Sequence, residues 1–122
     1  MKLAVTAVGK GLDADVDPRF GRCKYIIFID PDTLEFETVE NTASGGGGAG
    51  IAASQLVASH GADAVLTGDC GPNAYQVLSA ANIQVITCVS GKVKDAVQTF
   101  KAGQFKASSQ PSVQPHHGLS GR

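Results

Sequence analysis

The chain has almost no net charge. Its 10 lysines and arginines stand against 11 aspartates and glutamates in 122 residues, a formal charge of −1. A broad basic surface is the footprint of nonspecific nucleic-acid binding, so DNA and RNA are not expected partners. No apolar run approaches the roughly 18 residues a membrane-spanning helix needs. The start, Met1-Lys2-Leu3-Ala4-Val5, opens on a strand pattern without the charged region, apolar stretch or cleavage site of a secretory signal. No Gly-Lys-Ser/Thr follows the glycines, so there is no Walker loop. The apolar strand candidates carry almost none of the inward carboxylates a two-metal nuclease requires, and no nucleophile, base and orienter fall into a recognisable set. These absences leave a soluble cytoplasmic protein, not an enzyme, of one domain with a modest core. Three cysteines are an odd number, which in that compartment stay reduced instead of forming a disulfide framework.

Five strands and three helices can be read along the chain. Lys2 to Val8 is a buried first strand and Tyr25 to Ile29 a second. Pro31-Asp32-Thr33 turns into Leu34 to Glu40, where apolar and acidic residues alternate as in a hairpin member with one wet face. After the run Gly45 to Gly50 comes an alanine-rich helix, Ile51 to His60, stopped by Gly61. Ala64 to Thr67 is a short buried strand. Ala74, Val77, Leu78 and Ala81 fall at helical spacing, Val85 to Val89 is the fifth strand, and Val93, Ala96, Val97 and Phe100 mark a last helix ending near Gly103. The domain is therefore 1–103. Residues 104–122, rich in Ser, Gln, Pro and Gly, read as a flexible tail.

A hairpin followed by alternating helix and strand implies an α/β, three-layer domain around a mixed five-stranded sheet, order 3-2-1-4-5, with strand 2 antiparallel and about three helices. The loops leaving the parallel strands meet at their carboxyl edge, where open α/β sheets bind ligands. Cys23, Cys70 and Cys88 all map to that edge, as do Arg19, Arg22 and both glycine-rich turns; His60 maps to the opposite end. Two helices begin there, and free N–H groups with the helix dipole favour an anion. Arginine adds charge-assisted hydrogen bonds. The binding residues expected on this rim are Arg19, Phe20, Gly21 and Arg22, then Gly46, Gly47 and Gly48, then Gly68, Gly71 and Asn73.

Asp17-Pro18-Arg19-Phe20-Gly21-Arg22-Cys23, Asn41 with Gly45 to Ile51, Gly68-Asp69-Cys70-Gly71-Pro72-Asn73-Ala74 and the segment Gly91 to Gly103 occur in one order. With these motifs the chain, from Met1 to Gly103, resembles the dinitrogenase iron–molybdenum cofactor biosynthesis family. That resemblance implies a ribonuclease-H-like fold and a noncatalytic role: binding, storing or delivering an iron–sulfur or iron–molybdenum–sulfur cluster or its precursor, with a protein donor or acceptor as partner. Family members often have a histidine directly before the Phe-Gly pair, where this chain has Arg19, so Arg19 is assigned an electrostatic part. Cys23, Cys70 and Cys88 are then candidate metal ligands, because cysteine is the usual protein ligand of such clusters. His116 and His117 would supply a fourth position if the tail folds back.

Plainer readings stand beside these. A free cysteine is often a small buried apolar residue, and Cys88, ending an apolar strand, is read as core first. Arg19 and Arg22 also suit surface ion pairs, the glycine run suits a linker, and two histidines in a tail suit simple exposure. A regulatory or partner-binding domain without cofactor is one rival. A nucleotide-binding enzyme is another, since Gly45, Gly47 and Gly50 match G-x-G-x-x-G and Asp69 lies near the spacing of a ribose ligand.

Overall fold

Every residue of Leu3–Ala7 (β1) is buried, as are four of the five in Tyr25–Ile29 (β2), which only strands covered on both faces allow. The computed structural model describes residues 1–42 and 48–105. In it β2 pairs antiparallel with both β1 and Phe36–Glu40 (β3). Ala64–Leu66 (β4) and Gln84–Ile86 (β5) continue the sheet in parallel on the other side of β1. The strand order is β3-β2-β1-β4-β5, as the sequence pattern predicts.

Ala49–Ser59 (α1) and Pro72–Ala80 (α2) cover one face of the sheet, and Val93–Lys101 (α3) covers the other. Period-two alternation divides β2 between the two layers: Ile26 and Phe28 enter the α1–α2 core, Ile27 and Ile29 the α3 core. Small residues let α1 and α2 approach closely. The Ser54 hydroxyl donates to Gly50 O of its own helix (2.8 Å) and to Ala74 O of α2 (3.3 Å). Gly61, Asn82 and Gly103, one residue beyond each helix cap, take positive φ and stop the helices in the left-handed conformation. Phe105 still packs against the α3 layer. Among the described residues no helix is long and apolar enough to cross a membrane.

Several boundaries shift by one residue, and three differ from expectation by two or more. α1 begins at Ala49 instead of Ile51. β3 begins at Phe36 instead of Leu34, because Leu34 adopts φ +64° to close a turn capped by Asp30. The Asp30 carboxylate accepts the amides of Asp32 (2.8 Å) and Thr33 (3.3 Å), which hold its pKa below the ordinary aspartate value. β5 ends at Ile86. Cys88, expected at the strand end and in the core, lies beyond it, exposed, with φ +63°. That conformation turns the chain out of the sheet, and its N–H donates to Gly68 O (2.7 Å).

Candidate functional site

The loop after β1 returns across the carboxyl edge of the sheet and is held there by main chain. Asp17 N–H donates to Thr6 O (2.8 Å), Asp69 N–H to Pro18 O (2.7 Å), and Phe20 N–H to Asp69 O (3.1 Å). Phe20 is 2% exposed, and burying it contributes about 2–3 kcal/mol toward closing the loop. Asn41, directly after β3, is the second clamp. Its side-chain amide donates to Gly21 O (3.1 Å) and Cys23 O (2.9 Å) and lies 3.6 Å from the Cys23 sulfur.

So fixed, the loop lies against the start of α1. A Cβ on Gly21 would sit 2.7 Å from both N and Cα of Gly50, so only glycine permits the approach. Beside this contact opens a cavity of about 320 Å³, lined by Gly21 and Arg22 from the loop, Gly48 to Ile51 from α1, and Gly71 to Ala74 from α2. Among the described residues neither helix has a side-chain cap. The first intrahelical bonds run from Ala52 to Gly48 and from Tyr75 to Gly71. The N–H groups of Ala49, Gly50 and Ile51 therefore have no acceptor within α1, nor do those of Asn73 and Ala74 within α2; Pro72, at the first position, has none to offer. All of these residues line the cavity. Two positive helix ends thus meet at one space, with the exposed guanidinium of Arg22 at its side.

Among the expected site residues, Gly21, Arg22, Gly48, Gly71 and Asn73 come together here. Arg19 does not. Its Nε is 3.5 Å from the Asp17 carboxylate, which also accepts the Arg19 N–H (3.0 Å), and its side chain is 65% exposed. Phe20 belongs to the core. Gly68 serves chain packing, since a Cβ there would lie 2.5 Å from Pro18 Cα. Asp69, weighed as a ribose ligand, is not part of the cavity lining. Gly46, Gly47, His116 and His117 lie outside the described residues.

The three sulfurs do not form the expected mouth. Cys23 and Cys70 have no exposed surface and belong to the α1–α2 core, because the folded-back loop carries Phe20 and Cys23 inward. Burial pushes both thiols up to about 12; the Asn41 amide opposes this in part at Cys23. Thiols held protonated inside hydrocarbon are inert ligands. Among the described residues no group of three or more His, Cys, Asp or Glu side chains is placed to hold a metal ion. One consequence is a simple count: an aromatic disulfide reagent should titrate one thiol, Cys88, in the native protein and three after denaturation. Rapid native reaction of a second thiol would contradict the buried placement.

Sequence reading missed Ala49, Gly50, Ile51, Pro72 and Ala74 as lining and Asn41 as a clamp. Pro72 held a usable signal, because proline at a first helical position marks where N–H groups point outward.

A family model described as dinitrogenase iron–molybdenum cofactor matches residues 1–103. The apo form of the orange protein from Desulfovibrio gigas is 43% identical to this chain, over 92% of this chain and 96% of that one, with a TM-score of 0.89. A NifB-like protein from Thermotoga is 32% identical over 87% and 91% of the two chains, with a TM-score of 0.76. An uncharacterized protein of Methanocaldococcus jannaschii is 28% identical over 95 residues, 75% of this chain and 80% of that one.

Proposed function

This chain belongs to the dinitrogenase iron–molybdenum cofactor family, and from that premise we propose that it binds a compact anionic metal–sulfur cluster or precursor where α1 and α2 begin. The cluster, of iron–sulfur or iron–molybdenum–sulfur type, is cargo: the protein stores it in the cytoplasm and passes it to an acceptor protein without making or breaking its bonds. The observation that carries this reading is the convergence of two uncapped helix N-termini on one cavity beside Arg22.

The chemistry of those donors fits such cargo. A cluster that brings its own sulfides presents soft, negatively charged acceptors over its surface, and main-chain N–H groups with an arginine can bond them without displacing a metal ligand. Glycines keep side chains from standing between the amides and the cargo. The apolar stretch of Ile51, Pro72 and Ala74 suits a weakly hydrated anion better than a strongly hydrated one. Cys23 and Cys70 have no part in this mode of binding. That Desulfovibrio gigas relative is described as an apo form, a term for a protein that takes a ligand.

Anaerobic purification with metal and acid-labile sulfide analysis tests the reading directly; release of a dinucleotide on denaturation would refute it. Asn73→Asp sharpens the test. A carboxylate at the second position of α2 should leave the helix as stable or slightly more so, since a negative charge complements the helix end. The same charge should lower cluster retention by about tenfold through repulsion. Unchanged metal and sulfide stoichiometry, with an unchanged dissociation rate, would remove this cavity from the mechanism.

A further inference from the structure

Among the described residues both edges of the sheet are open, and they are guarded differently. β5 is only three residues long, and brevity blunts an edge. β3 presents five residues. Asn41 N–H donates to Lys24 O (2.9 Å) and Asp30 N–H to Glu35 O (3.0 Å), which fixes the hydrogen-bonded pairs of the β2–β3 ladder. By the alternation of an antiparallel pair, Glu37 and Val39 also turn their main chain toward β2. The N–H and C=O groups of Phe36, Thr38 and Glu40 therefore face outward. Among the described residues no other main chain pairs with them.

Side chains give this edge a chemical preference. Glu37 lies opposite Phe28, on the α1–α2 face, and Glu35 shares that face by alternation; Phe36 lies opposite Ile29 on the α3 face. One side of the edge carries Glu35 and Glu37, with Val39 beyond them; the other carries Phe36 and then Thr38 and Glu40. At its start a second cavity of about 320 Å³ opens among Met1, Phe28 and Phe36, lined also by Asp30, Glu35 and Glu37 and by one cation, Lys2, whose ammonium donates to His60 O (2.8 Å). Met1, Leu34 and Phe36, three of the five large apolar side chains left exposed among the described residues, lie at this corner.

We propose that β3 is a docking edge for a partner protein's extended segment in which basic and apolar residues alternate, added to the sheet as a sixth strand. Charge decides between this occupant and a second copy of the chain. Two-fold pairing of β3 with itself through Phe36, Thr38 and Glu40 would set the Glu35–Glu37 rows of both copies on the same face of neighbouring strands, where like charges repel. Lysines or arginines in a foreign strand meet those rows with opposite sign, while the apolar residues between them cover Phe36. The proposal is independent of what the helix-end cavity holds. It does bring the partner strand up to Asn41, whose side chain clamps the loop over that cavity.

Titration of isotope-labelled protein with the peptide acetyl-Lys-Val-Lys-Phe-Lys-Val-Lys-amide, followed by NMR and amide exchange, tests it. Saturable binding is expected, with the amides of Phe36, Thr38 and Glu40 gaining at least about tenfold protection and affinity falling severalfold between about 50 mM and about 500 mM salt. Thr38→Pro removes one outward donor and spares the β2 ladder, so affinity should fall by at least about tenfold. Thr38→Val, which loses only the hydroxyl bond to Lys10 O (2.6 Å), should bind as the parent does. A Glu35→Lys/Glu37→Lys double variant should lose the basic peptide and bind its glutamate counterpart instead, which keeps the test open should the proline variant fail to fold. Absent binding, perturbations mapping elsewhere, equal affinity for the acidic peptide, or sedimentation as a dimer paired through β3 would each overturn the proposal.

Discussion

Gly68→Ala is expected to lose about 2–3 kcal/mol of stability, while Gly71→Ala, three residues along, is expected to change it by less than about 1 kcal/mol. The contrast comes from what an added methyl would meet. At Gly68 it would stand 2.5 Å from Pro18 Cα and 2.7 Å from Pro18 O, both main-chain atoms that no rotamer change can move. The two segments are tied by the hydrogen bonds on either side of Asp69, so relief of the clash requires breaking that bridge and lifting the loop that buries Phe20. At Gly71 nothing lies within 4 Å, and the backbone at φ −72° accepts any residue. Gly21→Ala falls in the first class, with contacts of 2.7 Å to Gly50, and on the proposed function it weakens binding as well, because the displaced segment includes Arg22 and one wall of the cavity. Urea denaturation of the three variants gives the ranking. A Gly68→Ala midpoint equal to the parent's would mean that the loop is not packed as described.

Stability is also expected to fall steeply on the alkaline side. The thiols of Cys23 and Cys70 are pushed by burial from an ordinary 9.0 to about 12. Below pH 9.0 both are protonated whether the chain is folded or not, and their contribution is constant. Between those limits the unfolded chain releases protons that the folded chain keeps, so each thiol reduces stability by about 1.4 kcal/mol per pH unit until the folded value is passed. A Cys23→Ala/Cys70→Ala variant should be less stable near neutrality, because the core loses two sulfur atoms, yet its slope over the same window should be shallower by about 2.7 kcal/mol per pH unit. Urea midpoints under reducing conditions from about pH 8 to about pH 11 measure the difference. Parallel curves would mean that the thiols ionise without unfolding and are open to solvent, which would restore them as ligand candidates.

What could be read from sequence depended on how local the signal was. β2 and the helix stops at Gly61 and Gly103 each rest on residues within one turn or one strand, and they lie where the pattern puts them. The sheet order followed from connection rules applied to a correct set of elements. Cys88 misled because Thr87-Cys88-Val89 extends an apolar run, and only the contact of its N–H with Gly68 O reveals the left-handed turn. Cys23 and Cys70 misled for a different reason. Their position next to rim loops was right, but whether a rim residue faces out or in depends on the loop closing over it, and that closure is made by Asn41, Pro18 and Asp69 from three separate parts of the chain. Arg19 and Arg22, three residues apart in one motif, separate for the same reason: the carboxylate of Asp17 claims the first.

A pocket whose donors are amide hydrogens has an unusual relation to mutation. Every amino acid except proline supplies the same main-chain donor, so substitution at Ala49 or Ile51 leaves those donors intact and changes only bulk and charge around them. An alanine scan, the standard means of mapping a contact surface, would register Arg22 and pass over the main-chain donors. Backbone ester replacement or proline substitution at single positions would register these instead, which on the proposed reading makes the main chain, and not the side chains around it, the part of this cavity that mutation can least easily rewrite.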